Sequence, residues 1–555
     1  MSAPTAELTA PARPDRAQAP LVYPLRGLAG GWLYVGLAAI ALVIAALSLL
    51  IPSTPSYDPW SWLGWGREIV HLKLHTTGGP TWKPLPVVFT TLFAPFGKAA
   101  PDMWLVIARA GALMAIAMVF KLATRLTHWL ALRPGEADGA RSARSLVPTL
   151  LAGVIAAGSV VVSRGFISDN ALGYSEGLMT ALVLVSLDRH LDGARRQAFA
   201  VGFFAALDRP ELWLAWGPYG LFLWWKDPGA RRLVAILFLL IPVLWFLPEY
   251  WGSGHFFRGV NRAQHPRSNS PAFAKCPFCT ELGKHAWPTL LLRVKIPAIV
   301  AMVVAAFGLS RRHRWWSRRE VWWRRGLVST ADRASLVVLG AGAAGLLWWV
   351  LIAVLTQAGF SGNDRYLVLG AALIAISGGV AWGWGAQALA ELPRRLRGGA
   401  VFRRMGSVGA LPSALSAAVA AAAFMAIPPW IGSKVVDIPA THRALVYQAH
   451  LRQDMSKAVK ELGSSRILRC GTVMTEGFQV PMLAWNLGVH TVRIEASPLP
   501  HAPLPPPPNV IFQTRAQRRS SLLPHVRDWK GVRYHLAAHV RTFRVYSRCA
   551  GKLTL

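Results

Sequence analysis

Between residues 30 and 430 the chain is cut into apolar stretches bounded by charge, and this alternation limits what it can fold into more than any motif does. The stretches fall at roughly 30–51, 102–124, 146–163, 174–188, 197–207, 211–225, 233–249, 296–310, 334–357, 366–389 and 409–430. Each is long enough, or nearly so, to cross a bilayer as a helix. A further run, 84–97, is broken by Pro86 and Pro95 and reads as a juxtamembrane or re-entrant piece, because irregular backbone cannot face lipid. The expected fold is therefore an α-helical polytopic membrane protein of about eleven transmembrane helices. A soluble core is excluded: 53% of the 555 residues are hydrophobic and 15% are charged.

Charge bias orients the spans. With the N-terminus inside, the inner loops 125–145, 189–196, 226–232, 311–333 and 390–408 are all basic, including Arg311, Arg312, Arg318, Arg319, Arg324 and Arg325 in one loop. That is the positive-inside distribution, and counting 84–97 as a crossing would reverse every loop. The formal charge of +34 is thus read as topology, and no nucleic-acid partner is expected, since no basic stripe lies on a soluble fold of known type. Residues 1–29 read as a disordered cytoplasmic tail, and the first span as a retained anchor without a cleavage site. Outside lie the loops 52–101 and 250–295 and a polar region, 432–555, expected to be a small extracytoplasmic α/β domain. Its expected helices cover 440–462 and 480–487, with strands at Arg466–Cys470, 490–495, 509–514 and 540–547. The expected localisation is the plasma (inner) membrane.

All four cysteines, Cys276, Cys279, Cys470 and Cys549, fall in segments placed outside, which suits an oxidising compartment and disulfides. Cys470 with Cys549 would tie the domain's ends together, and Cys276 with Cys279 would close a small loop. A zinc site using His265 or His285 is the weaker alternative, with only one CxxC present.

The first outer loop, PSYDPWSWLGWGREIVHLKLHTTGGPTWKPLP over Pro55–Pro86, concentrates charge among aromatic side chains. Trp60, Trp62, Trp65 and Trp82 favour a membrane–water interface, and residues 60–74 read as an amphipathic helix lying flat on the bilayer. Read plainly this is a connector with an aromatic belt; read chemically, Asp58 is a base and Lys83 a fixed cation for a phosphate at the membrane surface. Other charges gather on the same side: Asp169, Glu176, Arg209, Glu211, Glu249, Asn363 with Asp364, and Arg365. Acids and bases at one depth suggest a cavity.

Tyr57-Asp58-Pro59-Trp60 and Trp82-Lys83-Pro84-Leu85-Pro86 resemble the first loop of the GT-C superfamily of membrane glycosyltransferases, a likeness that covers about residues 30–390. The resemblance implies a GT-C-like helix arrangement and a sugar donor carried on a polyprenyl phosphate. By the same resemblance Asp58 is the catalytic acid residue, Asp169 a second acid, and Lys83 the lysine that serves the lipid phosphate. Independently of it, a phosphodiester at the bilayer surface needs a cationic site, which Arg209 and Arg365 can supply beside Lys83. Tyr57, Trp60, Glu68, Trp82, Glu176 and Glu211 are expected around that cavity. No cofactor is written in the motifs; the family leaves room for a divalent cation, Mg²⁺ or Mn²⁺, but a lone Asp58 replaces the paired acids of several branches. The reading is an inverting glycosyltransferase that passes a hexosyl or pentosyl group to a cell-envelope glycan, lipid or protein. The alternatives are a lipid-linked saccharide flippase, which would more often show internal repeats, and a non-catalytic envelope scaffold.

Overall fold

The computed structural model describes residues 31–131, 138–266, 270–313, 330–397, 413–426, 436–499 and 502–549. The N-terminal tail and much of the basic segments 311–333 and 390–408 lie outside the described residues.

The first apolar span forms α1 (Trp32–Leu47). The loop after it folds into α2 (Tyr57–Val70) and α3 (Pro84–Phe93), and α3 runs through a 3-10 segment into α4 (Ala100–Ala131). Then come α5 (Asp138–Val161), the short α6 (Phe166–Ala171), α7 (Glu176–Leu191), α8 (Arg195–Ala206), α9 (Trp213–Lys226) and α10 (Arg231–Ser253). A loop carrying α11 (Arg258–Ala263), α12 (Pro277–Thr280) and a π-helical turn, Glu281–Ala286, leads to α13 (Leu292–His313). The membrane part ends with α14 (Thr330–Gln357), α15 (Val368–Arg397) and α16 (Ser413–Ala426). Every expected span contains a helix. Among the described residues six helical stretches are long and apolar enough to cross a membrane by length and composition, and the chain is an integral membrane protein.

Helix α15 is the axis of the bundle, packed against α4, α5, α7, α13, α14 and α16. Its sequence permits this: a Cβ on Gly378 would stand 2.6 Å from the carbonyl oxygen of Val294, so only glycine lets α13 approach so closely.

Residues beyond 436 form α17 (Ile438–Leu462), α18 (Ser464–Cys470), β1 (Val473–Thr475), α19 (Val480–Leu487), β2 (Ile494–Ala496), β3 (Val510–Arg515), β4 (Leu522–Leu523), β5 (His535–His539) and β6 (Arg544–Ser547). The sheet runs β2-β1-β3-β6-β5, with β1 parallel to β2 and β3 and β6 antiparallel to β3 and β5. Alternation places Val510 and Phe512 on one face with Leu451, Met455 and Val459 of α17, and Ile511 on the other with Met474 and Trp529. Both disulfides form as expected, Cys276–Cys279 and Cys470–Cys549.

Two expectations fail. Arg466–Cys470 is a helical turn, not a strand; Gly463 and Gly471, both at positive φ, bracket it and the strand starts at Val473. Five residues are too few for periodicity to separate the two. Helix α2 also does not offer its aromatic face to lipid. Trp60, Trp62, Trp65 and Trp82 are all almost fully buried, and Trp60 packs beside Trp485 of α19. Arg67 donates to the carbonyls of Trp485 and Val489 at 3.1 and 3.0 Å, and Arg452 of α17 reaches Asp102 at 2.6 Å. Protein, not the bilayer, covers the tryptophans: the C-terminal layer over Trp60, Trp104 of α4 against Trp62, and Trp65 and Trp82 against each other.

Candidate active site

Lys83 and Arg209 are positioned by the same local grammar. Each precedes a proline, which removes the α conformation from the residue before it and suits the first position of the helix that follows. Lys83 is accordingly extended at φ −137° and ψ 108° ahead of α3, and Arg209 at φ −144° and ψ 124° ahead of a 3-10 turn. The two segments lie side by side, with the Leu85 amide donating to the Leu207 carbonyl at 3.2 Å. Asp58 sits in the first turn of α2, where the helix dipole favours a carboxylate.

Glu176, at the start of α7, is the hub. Its Oε1 lies 3.1 Å from Lys83 Nζ, 3.4 Å from Arg365 Nε and 3.7 Å from Arg209 Nη2. Lys83 also donates to Ser175 at 3.0 Å and approaches Asp208 at 3.8 Å. Arg209 pairs with Glu211 at 2.8 Å and stacks 3.6 Å from the Tyr366 ring centre. Arg365 donates to Asp58 at 2.6 Å and lies 4.0 Å from the Tyr174 ring centre. Three cations thus meet four carboxylates. Asp208 is fully buried with no hydrogen bond to either oxygen, and burial pushes its carboxyl up.

Above this cluster opens a cavity of about 330 Å³. Asp58, Lys83, Tyr174, Arg365 and Tyr366 line it together with Tyr57, Arg262 and His285 from the 254–291 loop, Asn363, Asp364, and Phe478 from the C-terminal layer. Phe478 meets Tyr57 edge-on at 6.4 Å. His285 and Arg164 both bind Asp364, at 2.5 and 2.9 Å.

No protein-family model and no curated protein sequence matches the chain. Among solved structures, its fold is similar to the crystal structure of ArnT from Cupriavidus metallidurans bound to undecaprenyl phosphate, at 14% identity and a TM-score of 0.47 over 95% of this chain and 99% of that one. The apo structure of the same ArnT gives 15% identity and a TM-score of 0.47 over 94% and 99%. At this similarity, function is read from the residues of the cavity.

Asp58, Lys83, Arg365 and Tyr57 reach the cavity wall, while Glu176, Arg209 and Glu211 do not line it and join it only through Lys83, Arg365 and Tyr366. Asp169 does not line the cavity. It feels Arg365, Glu176 and Asp364 from behind, and burial pushes its carboxyl up to about 7. Trp60, Glu68 and Trp82 lie elsewhere. Trp82 donates to the Leu244 carbonyl, and Glu68 binds His490 at 2.9 Å and the His75 amide at 3.0 Å, where α2 meets the C-terminal layer. Aromatic and acidic residues of one loop do not all share one side, because helix α2 turns Trp60 and Glu68 away from Asp58, and Trp82, beyond the helix, is held by α10.

A divalent cation finds no ready site. No three His, Cys, Asp or Glu side chains among the described residues converge to hold one, and Arg365 already occupies an oxygen of Asp58. Cys276 and Cys279 are joined to each other, so they leave His265 and His285 without thiolate partners for zinc. Tyr174, Tyr366, Ser175 and Asp208 were missed in the sequence. The signal was there for two of them, since Tyr366 follows Arg365 and Asp208 precedes Arg209.

Proposed function

We propose that the protein transfers a sugar from a polyprenyl-phosphate donor to a cell-envelope acceptor, with inversion, on the outer face of the plasma membrane. The observation that carries the reading is the meeting of Asp58 and Lys83, from the two ends of the first outer loop, with Arg365, from the turn ahead of α15, on one cavity wall at the end of a bundle of apolar helices. A lipid phosphodiester sits at such a boundary, with its chain in the bilayer and its sugar in water.

With Oδ2 held by Arg365, the other oxygen of Asp58 takes the proton of the acceptor hydroxyl. The acceptor oxygen bonds to the anomeric carbon from the face opposite the phosphate as the carbon–oxygen bond to that phosphate breaks. The electron pair leaves on the phosphate, where Lys83 and Arg365 stabilise the growing charge. Arg supplies two parallel donors and Lys a point charge, so the pair suits an anion that gains charge during the step. Because both cations are paired with carboxylates beforehand, the donor phosphate has to compete for them.

The test is turnover by purified protein in nanodiscs, given polyprenyl-phosphate sugars and an envelope extract as acceptor. Release of polyprenyl phosphate coupled to a glycosylated product is expected. Movement of the intact lipid-linked sugar across the membrane without its cleavage would replace this reading with transport.

A further inference from the structure

The C-terminal layer carries a second basic site, remote from the reaction cavity in sequence and without a carboxylate in its wall. A pocket of about 300 Å³ is lined by Arg515, Arg518, Arg541 and Arg544, with His539 and Tyr447. Arg541 is neutralised, since its guanidinium meets Asp454 of α17 at 3.1 Å. The other three make no salt bridge with any described residue; Arg515 donates to the Ser520 carbonyl, which carries no charge. Three uncompensated guanidiniums at one pocket repel one another, and an anion relieves that cost.

Topology does not account for this charge. The basic loops between the apolar spans follow the positive-inside bias, but residues 432–555 are not a short loop between spans, and they hold eighteen Lys and Arg against six Asp and Glu. The fold then says where the charge is aimed. Strands β1 and β3 are parallel neighbours, with Thr475 opposite Phe512. The carboxyl end of β1 leads to Phe478 on the reaction cavity, and the carboxyl end of β3 is Arg515. In open α/β sheets ligands bind outside the carboxyl ends of the strands. The hairpin that presents Arg541 and Arg544 is clamped there, because Asp454 also accepts the Thr542 amide at 2.9 Å and its hydroxyl at 2.8 Å.

We infer that this pocket is a phosphate-binding site, built on Arg515, Arg518 and Arg544 at the same sheet edge that closes the reaction cavity. Guanidinium forks match phosphate oxygens two at a time. The phosphate belongs either to an anionic lipid headgroup or to a soluble phosphorylated glycan. The inference stands independently of the proposed transfer reaction.

Full-length protein in phosphatidylcholine nanodiscs is titrated with inorganic pyrophosphate by calorimetry. Binding that weakens with salt is expected, and Arg518→Gln/Arg544→Gln should reduce affinity by roughly tenfold or more. Both side chains are exposed, so the variant is expected to fold, and an unchanged thermal midpoint confirms it. Lys530→Gln, exposed on the same layer but outside this pocket, should bind pyrophosphate as wild type does. Replacing part of the phosphatidylcholine by phosphatidylglycerol separates the sources: weaker pyrophosphate binding by wild type alone identifies a lipid headgroup, and unchanged binding a soluble phosphate. No pyrophosphate binding by wild type, or equal binding by the double variant, overturns the site.

Discussion

Arg365 donates to Asp58 at 2.6 Å across 307 positions of sequence, and its Nε also faces Glu176 at 3.4 Å. One guanidinium therefore joins the first loop to the start of α7. Asp58→Asn keeps the shape and one acceptor oxygen but removes the base. Turnover is expected to fall by about two to four orders of magnitude with donor affinity kept. Near wild-type turnover would move the base to Asp364, the other carboxylate that lines the cavity. Arg365→Ala should be worse for folding, because the half-buried Asp58 loses its partner and the buried Glu176 one of three, at a cost of up to roughly 3 kcal/mol.

The apolar spans were legible because the bilayer imposes length and apolarity on each helix separately, without reference to its neighbours. The meeting of Lys83, Glu176, Arg209 and Arg365 was half legible. Each stood near a span end, but which acids would satisfy which cations depends on how α7 and α15 rotate. The fate of Trp60 and Trp82 was not legible at all. An aromatic face looks the same whether lipid or protein covers it, and only the docking of α19 on α2, for Trp60, and the approach of α10, for Trp82, decides. Strand β5, HLAAH, was hidden because alanine carries little strand preference and its burial comes from β6 beside it.

Lys83 is not a free cation. Ser175, Glu176 and Asp208 surround it, so Lys83→Ala removes a structural partner as well as a phosphate contact. The Lys83→Met/Glu176→Gln pair resolves the two roles, since it deletes the charges together. The double variant is expected to recover most of the stability lost by Lys83→Met, yet to keep its weakened donor binding. Recovery of donor affinity along with stability would mean that Lys83 only neutralises Glu176.

Glu281, in the π-helical turn, is fully buried and neither carboxylate oxygen has a hydrogen bond. Burial lifts its carboxyl from 4.5 to about 7; Asp364 adds to the rise, and His285 and Arg164 oppose it. The folded protein thus keeps a proton that the unfolded chain releases, and stability falls as pH rises from about 4.5 to about 7 and stays lower above. A tenfold difference in proton affinity corresponds to about 1.4 kcal/mol, so the loss is on the order of 3 kcal/mol. Glu281→Gln should raise the thermal midpoint at pH 8 and leave it nearly unchanged at pH 5. A gain of equal size at both values would show that burial of the charge is not what Glu281 contributes.

The side of the membrane that holds the cavity can be decided with single cysteines. All cysteines among the described residues are paired, so an introduced thiol is labelled against a low background in oxidised cells. Lys530→Cys, exposed in the C-terminal layer, and Arg232→Cys, exposed at the start of α10, lie on opposite sides in the orientation set by the basic loops. A membrane-impermeant maleimide applied to intact cells should modify the first and spare the second until the membrane is opened. A thiol at Arg318, in the most basic of the loops, should be spared in the same way. If Arg232→Cys or Arg318→Cys is labelled from outside and Lys530→Cys is not, the bundle is inverted. The cavity of Asp58, Lys83 and Arg365 then opens to the cytoplasm, where a transfer to envelope acceptors would have no substrate.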